Sequence, residues 1–591
     1  MRFVLAIVSF VAAALLIGLG IAQKTIFAAP DEITASTSIT NDAPVTVVSG
    51  AALNAYPRSQ FVQISGSDEN FAAYGRTADV IAWIGDANYN DVTYDAETAS
   101  FVNEEHKGTE AEVPAPAGSD LWLASYTNKS SMTINVPDDF SLLVVTDGVK
   151  PAPSEISVTW PVDNSTPWAN TLVVAGGVML LIGLLLLVWA IAHIRRSRGP
   201  RRKSQKMPKL PRQPRYKPVK AKTKELDANA KGRRAINSRV AIVPVVLVTA
   251  LTLGGCSADF WAGREPVAAP TASADPVADA EVAAQIDPPA VTEQQAKRII
   301  ADLTSVTQKS DADNDDELAK TRLAGPALNL RLTNYAMRRA NAAIAGVEAI
   351  PTGKITLTLP QITENAWPRA VLAVIEDPTT AADGKQVPPV AVMLIQDDAR
   401  SNYKAQYIIR MEPGAVIPGV APASVGAPRL YPDSKFLAVE PQTIAAAYGD
   451  ILMVDSESPS YDLFEAEGDS LRVDVGKAYK DGAIAEFPKT SSLSFERRDS
   501  TGPIVPLGTN DNAALVTVDV NEADIAKVVE AGAVANAPAD VEALTGKKTS
   551  AKGFSRTFGY QLLFLVPSDE KGGKIVLLGY TQGIIAASEL P

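Results

Sequence analysis

Apolar positions along this chain gather into three continuous runs, with shorter alternating stretches between and after them. Phe3 to Ala22 and Thr171 to Ile194 are apolar or small almost throughout, long enough for helices to cross a hydrocarbon core. Trp168 and Trp189 bracket the second run as interfacial aromatics bracket a span, and Arg195 ends it. The first run stands open to two readings, a span over 1–28 or a cleavable signal segment ending near Ala28-Ala29. The third, Val240 to Gly255, is shorter and contains Pro244. Two to three transmembrane helices are therefore expected.

Between the first two runs, residues 29–168 read as short strands: Val45 to Val48, Phe61 to Ile64, Val80 to Ile84, Leu121 to Tyr126, Phe140 to Val145 and Ile156 to Trp160. Gly, Asn, Asp and Pro punctuate them, which predicts an all-β domain, a small antiparallel sandwich or barrel. Past an Ala/Pro-rich linker over 257–290, Thr292 and Gln295 form a capping box, and Ala296, Ile299, Ile300, Leu303 and Val306 share one helical face. A second helical stretch passes Leu318, Leu323, Leu328 and Leu332, and strands follow at 355–359, 370–375, 390–395 and 403–411. Helices first and sheet afterwards is an α+β layout. The order recurs, with a helix at 442–452 and strands at 493–497, 514–520, 554–566 and 574–580. The paired strands of 390–411 and 560–580 can be set side by side, so two duplicated modules are predicted, 291–435 and 436–591. Helices on a curved antiparallel sheet resemble the nuclear-transport-factor-2 (NTF2) or cystatin type of fold, whose members often enclose a conical pocket.

Charge then assigns sides. Between Arg195 and Arg239 stand 18 Lys/Arg and two acids, whereas residues 24–167 carry −14 and residues 256–591 carry −15. Cations near a span stay cytoplasmic, so 195–239 is expected inside and the two acidic regions outside. The basic loop suits anionic lipid headgroups, and membrane lipid is the expected partner. Nucleic acid is not expected, because the run holds one aromatic, Tyr216, and abuts apolar segments at both ends.

The single cysteine excludes an intramolecular disulfide framework. It closes the sequence Leu253-Gly254-Gly255-Cys256 after a basic lead-in and a short apolar core, an arrangement that resembles the lipobox of bacterial lipoproteins. The resemblance implies that Cys256 carries a diacylglyceryl group and that the chain is cut before it. The other reading is a short third span over 240–255.

The two histidines, His106 and His193, leave residues 194–591 without an imidazole base or a histidine metal ligand. Asp86, Asn88, Asn90 and Glu97 match positions 1, 3, 5 and 12 of a calcium loop, but Asp91 stands where glycine is needed, and a polar hairpin loop is the competing reading. Ser568 and Lys571 have the Ser-x-x-Lys spacing inside a predicted turn, and Gly546-Lys547 lacks the Ser/Thr of a phosphate loop. Asp311-Ala312-Asp313 has the Asp-x-Asp form that holds a metal in many glycosyltransferases, and its acidic neighbours give it the reading of a solvated loop between helices.

The apolar start Met1 to Val8, the segment Ala82-Trp83-Ile84-Gly85 and the lipoprotein-like C-terminal half resemble uncharacterised envelope membrane proteins of high-GC Gram-positive bacteria, some labelled glycosyltransferase. The expectation is a multi-domain membrane protein of the cell envelope, without catalytic residues, cofactor or metal. It would bind or scaffold at the membrane–wall interface, recognising an envelope glycan, an apolar ligand or another envelope protein. The alternative is an envelope glycosyltransferase or its accessory subunit.

Overall fold

A computed structural model describes residues 2–28, 30–162, 166–197, 289–362, 366–381 and 384–591. After a long helix, α1 (Arg2–Thr25), the chain builds a β-domain from β1 (Glu32–Ser38), β2 (Val45–Val48), the short α2 (Gly50–Leu53), β3 (Gln60–Ser65), β4 (Phe71–Arg76), α3 (Thr77–Ile84), β5 (Tyr89–Asp95), β6 (Ser100–His106), β7 (Ala124–Thr127), β8 (Ser131–Ile134), β9 (Phe140–Val145) and β10 (Glu155–Pro161). Two sheets form, ordered β1-β10-β3-β8 and β6-β5-β2-β9-β4-β7. Their facing sides share a core in which Val62, Ile64, Val158 and Trp160 meet Val48, Val92, Leu142 and Val144.

Three sequence expectations need correction here. The β2–β5 pair is parallel, a pairing that requires the crossover built from β3, β4 and α3, so the domain is not purely antiparallel. Residues Val80 to Ile84 are helical rather than a strand, because the run has no alternation and its buried positions, Asp79, Val80, Trp83 and Ile84, recur at helical spacing. The expected strand from Leu121 begins only at Ala124, since Leu121 and Trp122 turn inward to pack on α3.

Helix α4 (Pro167–Ser197) follows the β-domain. Together α1 and α4 make one compact unit, and both are long and apolar enough to cross a membrane. Glycines let them approach: a Cβ on Gly20 would lie 2.7 Å from Val173 Cγ2, and one on Gly176 would lie 2.6 Å from Ile17 Cγ1. Small residues at a helix seam let two backbones come close.

The other unit joins Ile26–Thr166 to Ile286–Pro591. Its C-terminal half is already built in at Ala290, whose N–H donates to Gln361 O at 2.7 Å, slightly earlier than the expected linker end. Helices α5 (Glu293–Asp313), α6 (Asp316–Arg322) and α7 (Gly325–Ala340) precede β11 (Ile355–Pro360), β12 (Arg369–Ile375), β13 (Val390–Gln396) and β14 (Lys404–Met411). The capping box of Thr292 and Gln295 opens α5 as expected. Helices α8 (Pro441–Val454), α9 (Ser470–Val475) and α10 (Lys477–Glu486) then precede β15 (Ser491–Arg498), β16 (Val505–Gly508), β17 (Ala514–Val528), β18 (Ala535–Asn536), α11 (Ala539–Thr545), β19 (Thr549–Ser550), β20 (Gly553–Val566) and β21 (Val576–Glu589).

One antiparallel sheet runs β11-β12-β13-β14-β21-β20-β17-β15, with β16 on β17. The last strands of the two halves meet in its middle, where Arg410 opposes Tyr580 and Met411 opposes Gly579. Ile299, Leu303 and Tyr335 cover one face of the first half, and Ile444, Tyr448 and Leu452 cover one face of the second. A third cluster takes Leu372, Met393 and Tyr407 from the first half and Leu515, Leu563 and Leu578 from the second. Burial on both faces explains the nearly unbroken apolar sequence of β12 and β13.

The C-terminal half grips the β-domain largely through arginines. Arg369, fully buried, donates from Nη2 to Asp79 Oδ1 at 2.6 Å and stacks on Trp367. Arg322 pairs with buried Asp120, which also accepts from Tyr403 N at 2.9 Å. Arg400 donates from Nε to Trp83 O at 2.9 Å and from Nη2 to Ile84 O at 2.6 Å. Those are carbonyls of the last turn of α3, which lack partners within the helix. Gly85, at φ 65°, ends α3 and leaves room for that guanidinium, since a Cβ there would lie 2.8 Å from Arg400 Nη2.

Candidate functional site

Beyond the shared core, β15, β17 and β20 continue side by side and line up two rows of residues across three strands. Leu493 opposes Ala526, which opposes Phe554; Phe495 opposes Asp524, which opposes Arg556. Directly opposed residues project to one face, so the register gathers side chains up to about 60 positions apart on a single surface. Tyr479 and Ala483 of α10, then Phe487 and Pro488, wall one side, and Val534, Ala535, Pro538 and Val541 wall the other. They enclose a groove of 440 Å³, within the usual range for small-ligand pockets.

Helix α10 exposes apolar residues, Tyr479 and Ile484 among them, beside its charges, and one buried contact fastens it above the sheet. Lys480 Nζ lies 3.0 Å from Glu522 Oε2, donates to Leu452 O at 3.1 Å and bonds Val475 O. Burial pushes the Glu522 carboxyl up and the Lys480 ammonium down, while each opposes the shift of the other. At the polar corner of the groove, Asp524 Oδ2 accepts from Arg556 Nε at 3.0 Å, and Asp540 Oδ2 lies 3.4 Å from Arg556 Nη1. Burial raises the Asp524 carboxyl and Arg556 pulls it back. Both acids in the sheet thus have a cation against them, and the remaining lining is mostly aromatic or aliphatic, with Thr490, Ser491 and Asn536 as its uncharged polar members. Two carboxylates against one guanidinium leave the corner net negative, a poor seat for an anion and a fair one for a hydroxyl or an amine.

A second concavity, of 490 Å³, opens where β14 and β21 meet, with Glu348, Arg410 and Glu412 in its lining. Arg410 is paired with Glu348 and lies 3.0 Å from Asp377. Burial raises Asp377, but bonds from Thr379 and Arg410 outweigh it and hold that carboxyl below its ordinary value. Glu412 Oε1 accepts from Ser470 Oγ at 2.6 Å and from Ser470 N at 3.2 Å. The acids of this cavity, too, are neutralised or engaged.

The residues singled out from sequence fare differently. Leu253, Gly254, Gly255 and Cys256 lie outside the described residues, as does the basic loop. Asp86, Asn88, Asn90 and Glu97 are not gathered round a centre, because residues 89–95 form β5 and spread them along a strand. Asp86 Oδ2 accepts from Thr109, Asn88 Oδ1 accepts from Gly108 N at 2.8 Å, and Asn90 exchanges bonds with Asn41 at 2.7 and 3.0 Å. Among the described residues, no cluster of three or more His, Cys, Asp or Glu could hold a metal. Asp311 is not in a solvated loop; it lies in the last turn of α5 and accepts from Tyr335 Oη at 2.5 Å and Arg331 Nε at 3.1 Å. Ser568 accepts from Lys571 N within its turn at 3.3 Å, and Gly546 ends α11 in the left-handed region.

Sequence reasoning missed the groove because α10 carries no clear apolar face and Leu493 and Phe495 read as an ordinary strand. The alternation Leu493-Ser494-Phe495-Glu496 at a sheet edge was the available signal.

A family described as a domain of unknown function (DUF8094) matches residues 287–589, just over half of the chain, and the chain belongs to that family. No curated protein and no solved structure matches it.

Proposed function

We propose that this protein is a non-enzymatic binding and scaffold protein anchored in a cell-envelope membrane, and that the groove beside α10 holds an extended apolar ligand. The observation that carries the reading is the pair of rows on β15, β17 and β20: aromatic and aliphatic over most of their length, with their one acid, Asp524, already paired to Arg556. Inverting glycosyl transfer uses a general base, commonly a carboxylate, and the acid of these rows, Asp524, is already held by Arg556, so this pairing favours binding. The net-negative corner selects a chain ending in a hydroxyl or amine over one ending in a carboxylate or phosphate.

Anchoring is supported by the two long apolar helices and the cation-dense segment after Arg195. The bonds between residues 26–166 and 286–591 support one side for both, outside the cell. A chain that crosses at α4 then has to return before Pro289, and the apolar run Val240 to Gly255 is the segment suited to that return, ending at the lipid-acceptor Cys256. Two tandem modules of NTF2-like type are supported by the repeated order of helices followed by a four-strand meander. The hairpin β13-β14 corresponds to β20-β21.

The test uses membranes holding the full chain and a photoactivatable long-chain alcohol as probe, with peptide mapping. Label is expected on the peptides of Leu493, Phe495 and Phe554, and Ala526→Trp, which fills the groove, should remove at least about nine-tenths of it, as loss of a well-packed site costs more than tenfold in affinity. Label spread evenly over the surface, or untouched by Ala526→Trp, would overturn the assignment.

A further inference from the structure

The β-domain and the C-terminal half meet through a surface built like one between separate chains. Every bond named across it joins residues on opposite sides of 198–288, the stretch that links them covalently. The β-domain offers acceptors, namely the carboxylates of Asp79, Asp120 and Glu110 and the carbonyls of Trp83, Ile84 and Leu123. The other half supplies guanidiniums, from Arg298, Arg322, Arg369 and Arg400. Of these, Arg369 and Asp79 are withdrawn from water almost completely, at 0% and 5% side-chain exposure.

An apolar centre accompanies the charges. Trp83 and Trp122 meet edge to face at 5.3 Å within a cluster that takes in Ala399 and Trp367 from the C-terminal half. Arginine and tryptophan in a desolvated centre are the residues that dominate affinity between proteins, and desolvated pairs are little weakened by salt. The charge imbalance is directional, because most donors come from one side and most acceptors from the other; the β-domain donates back through Arg76 to Pro289 O and through Asp120 N to Asn402 Oδ1. A second surface of the same sign would be repelled, which makes the seat selective for its own partner.

From this we propose that the β-domain is a receptor for the C-terminal half and keeps hold of it after the chain is cut anywhere between residues 198 and 288. The two pieces then act as a two-subunit complex, one carrying α1 and α4 and the other carrying both modules. Scission before Cys256 would be one natural route to that state, but the proposal rests neither on lipidation nor on the ligand of the groove. It assigns a function to the β-domain that its fold alone does not suggest: it presents the modules in a fixed orientation.

The experiment uses the full chain with an affinity tag at its N-terminus, Cys256→Ala to remove any shared lipid anchor, and a site-specific protease sequence placed within 257–285. After solubilisation in mild detergent and cutting, residues 286–591 should be captured with the tag and stay bound through a high-salt wash. In the Arg369→Ala background the captured fragment should leave on the order of a hundredfold faster, and Arg400→Ala, at the rim, should accelerate release by a smaller factor. A cooperative urea unfolding transition of the released fragment, followed by circular dichroism, shows that the fragment itself stays folded. Prompt loss of the unsubstituted fragment on cutting would overturn the proposal. So would a fragment carrying both substitutions that is retained as firmly as the unsubstituted one, since the hold would then lie elsewhere.

Discussion

The two halves of the nine-stranded sheet follow one plan, helices and then a four-strand meander, yet they differ in strand length and in what their strands do. In the first half β12, β13 and β14 are 7, 7 and 8 residues long, and every residue of β12 and β13 is buried. In the second, β17, β20 and β21 run for 15, 14 and 14 residues, and β17 is buried over its first seven and only intermittently afterwards. The first half has spent its strands on cores and on the grip on the β-domain. The second extends beyond the shared core, and the surplus length becomes the wall of a groove. The contrast teaches that a sheet can turn a stable platform into a grooved surface by lengthening strands while leaving the meander unchanged.

The sharpest way to break this comparison is at Arg369, where the first half is committed to its neighbour. Arg369→Ala leaves Asp79 buried without its cation, and unfolding in urea should show a loss of about 3–5 kcal/mol. Replacing both residues by apolar ones of similar size should cost far less. If the single substitution proves nearly neutral, the first half is no more committed than the second.

A smaller effect is expected at Asp519, on β17 in the second half. Burial raises its carboxyl above the ordinary 3.8, against the pull of backbone donors that include Gly502 N–H. A raised folded-state value means that the contribution to stability is full below about pH 4 and is lost as the pH climbs through the raised value. Asp519→Asn keeps an acceptor for Gly502 and cannot ionise. Its urea midpoint should gain on that of the unsubstituted protein as pH rises from 4 towards neutrality, and parallel pH profiles would contradict the assignment.

The least effect should come from the far end of the second half. The Lys547–Glu589 pair is half exposed on the lysine side, and Lys547→Ala should shift stability by no more than about 0.5 kcal/mol in a thermal melt. A larger loss would mean that the extended ends of β20 and β21 are held as tightly as the first half.

Much of the skeleton was legible in the residues. The capping box at Thr292, the helix at 442–452 and the strands at 370–375, 390–395 and 514–520 stand where spacing and burial pattern predict them. Continuous apolar runs misled at Val80 to Ile84, because a short buried run has no periodicity to separate strand from helix, and at Leu121, whose run becomes a strand only from Ala124. The Asp-x-Asp at 311–313 misled for another reason. Its acidic neighbours suggested solvent, whereas Arg331 and Tyr335 of α7 draw Asp311 inward. The groove and the arginine grip had no local signature, since each depends on partners brought together only by strand register or docking.

By itself, the order of residues determined which segments are long and apolar enough to span, which alternate as strands, and that residues 194–591 hold no imidazole. Only the tertiary structure decided that Arg369 answers Asp79, that Arg400 completes the end of α3, and that Phe495, Asp524 and Arg556 share one face. The physical reason is range: periodicity and capping act over a few residues along the chain. A buried charge or a groove is specified instead by neighbours 30 to 290 positions away, whose approach depends on how whole sheets pack.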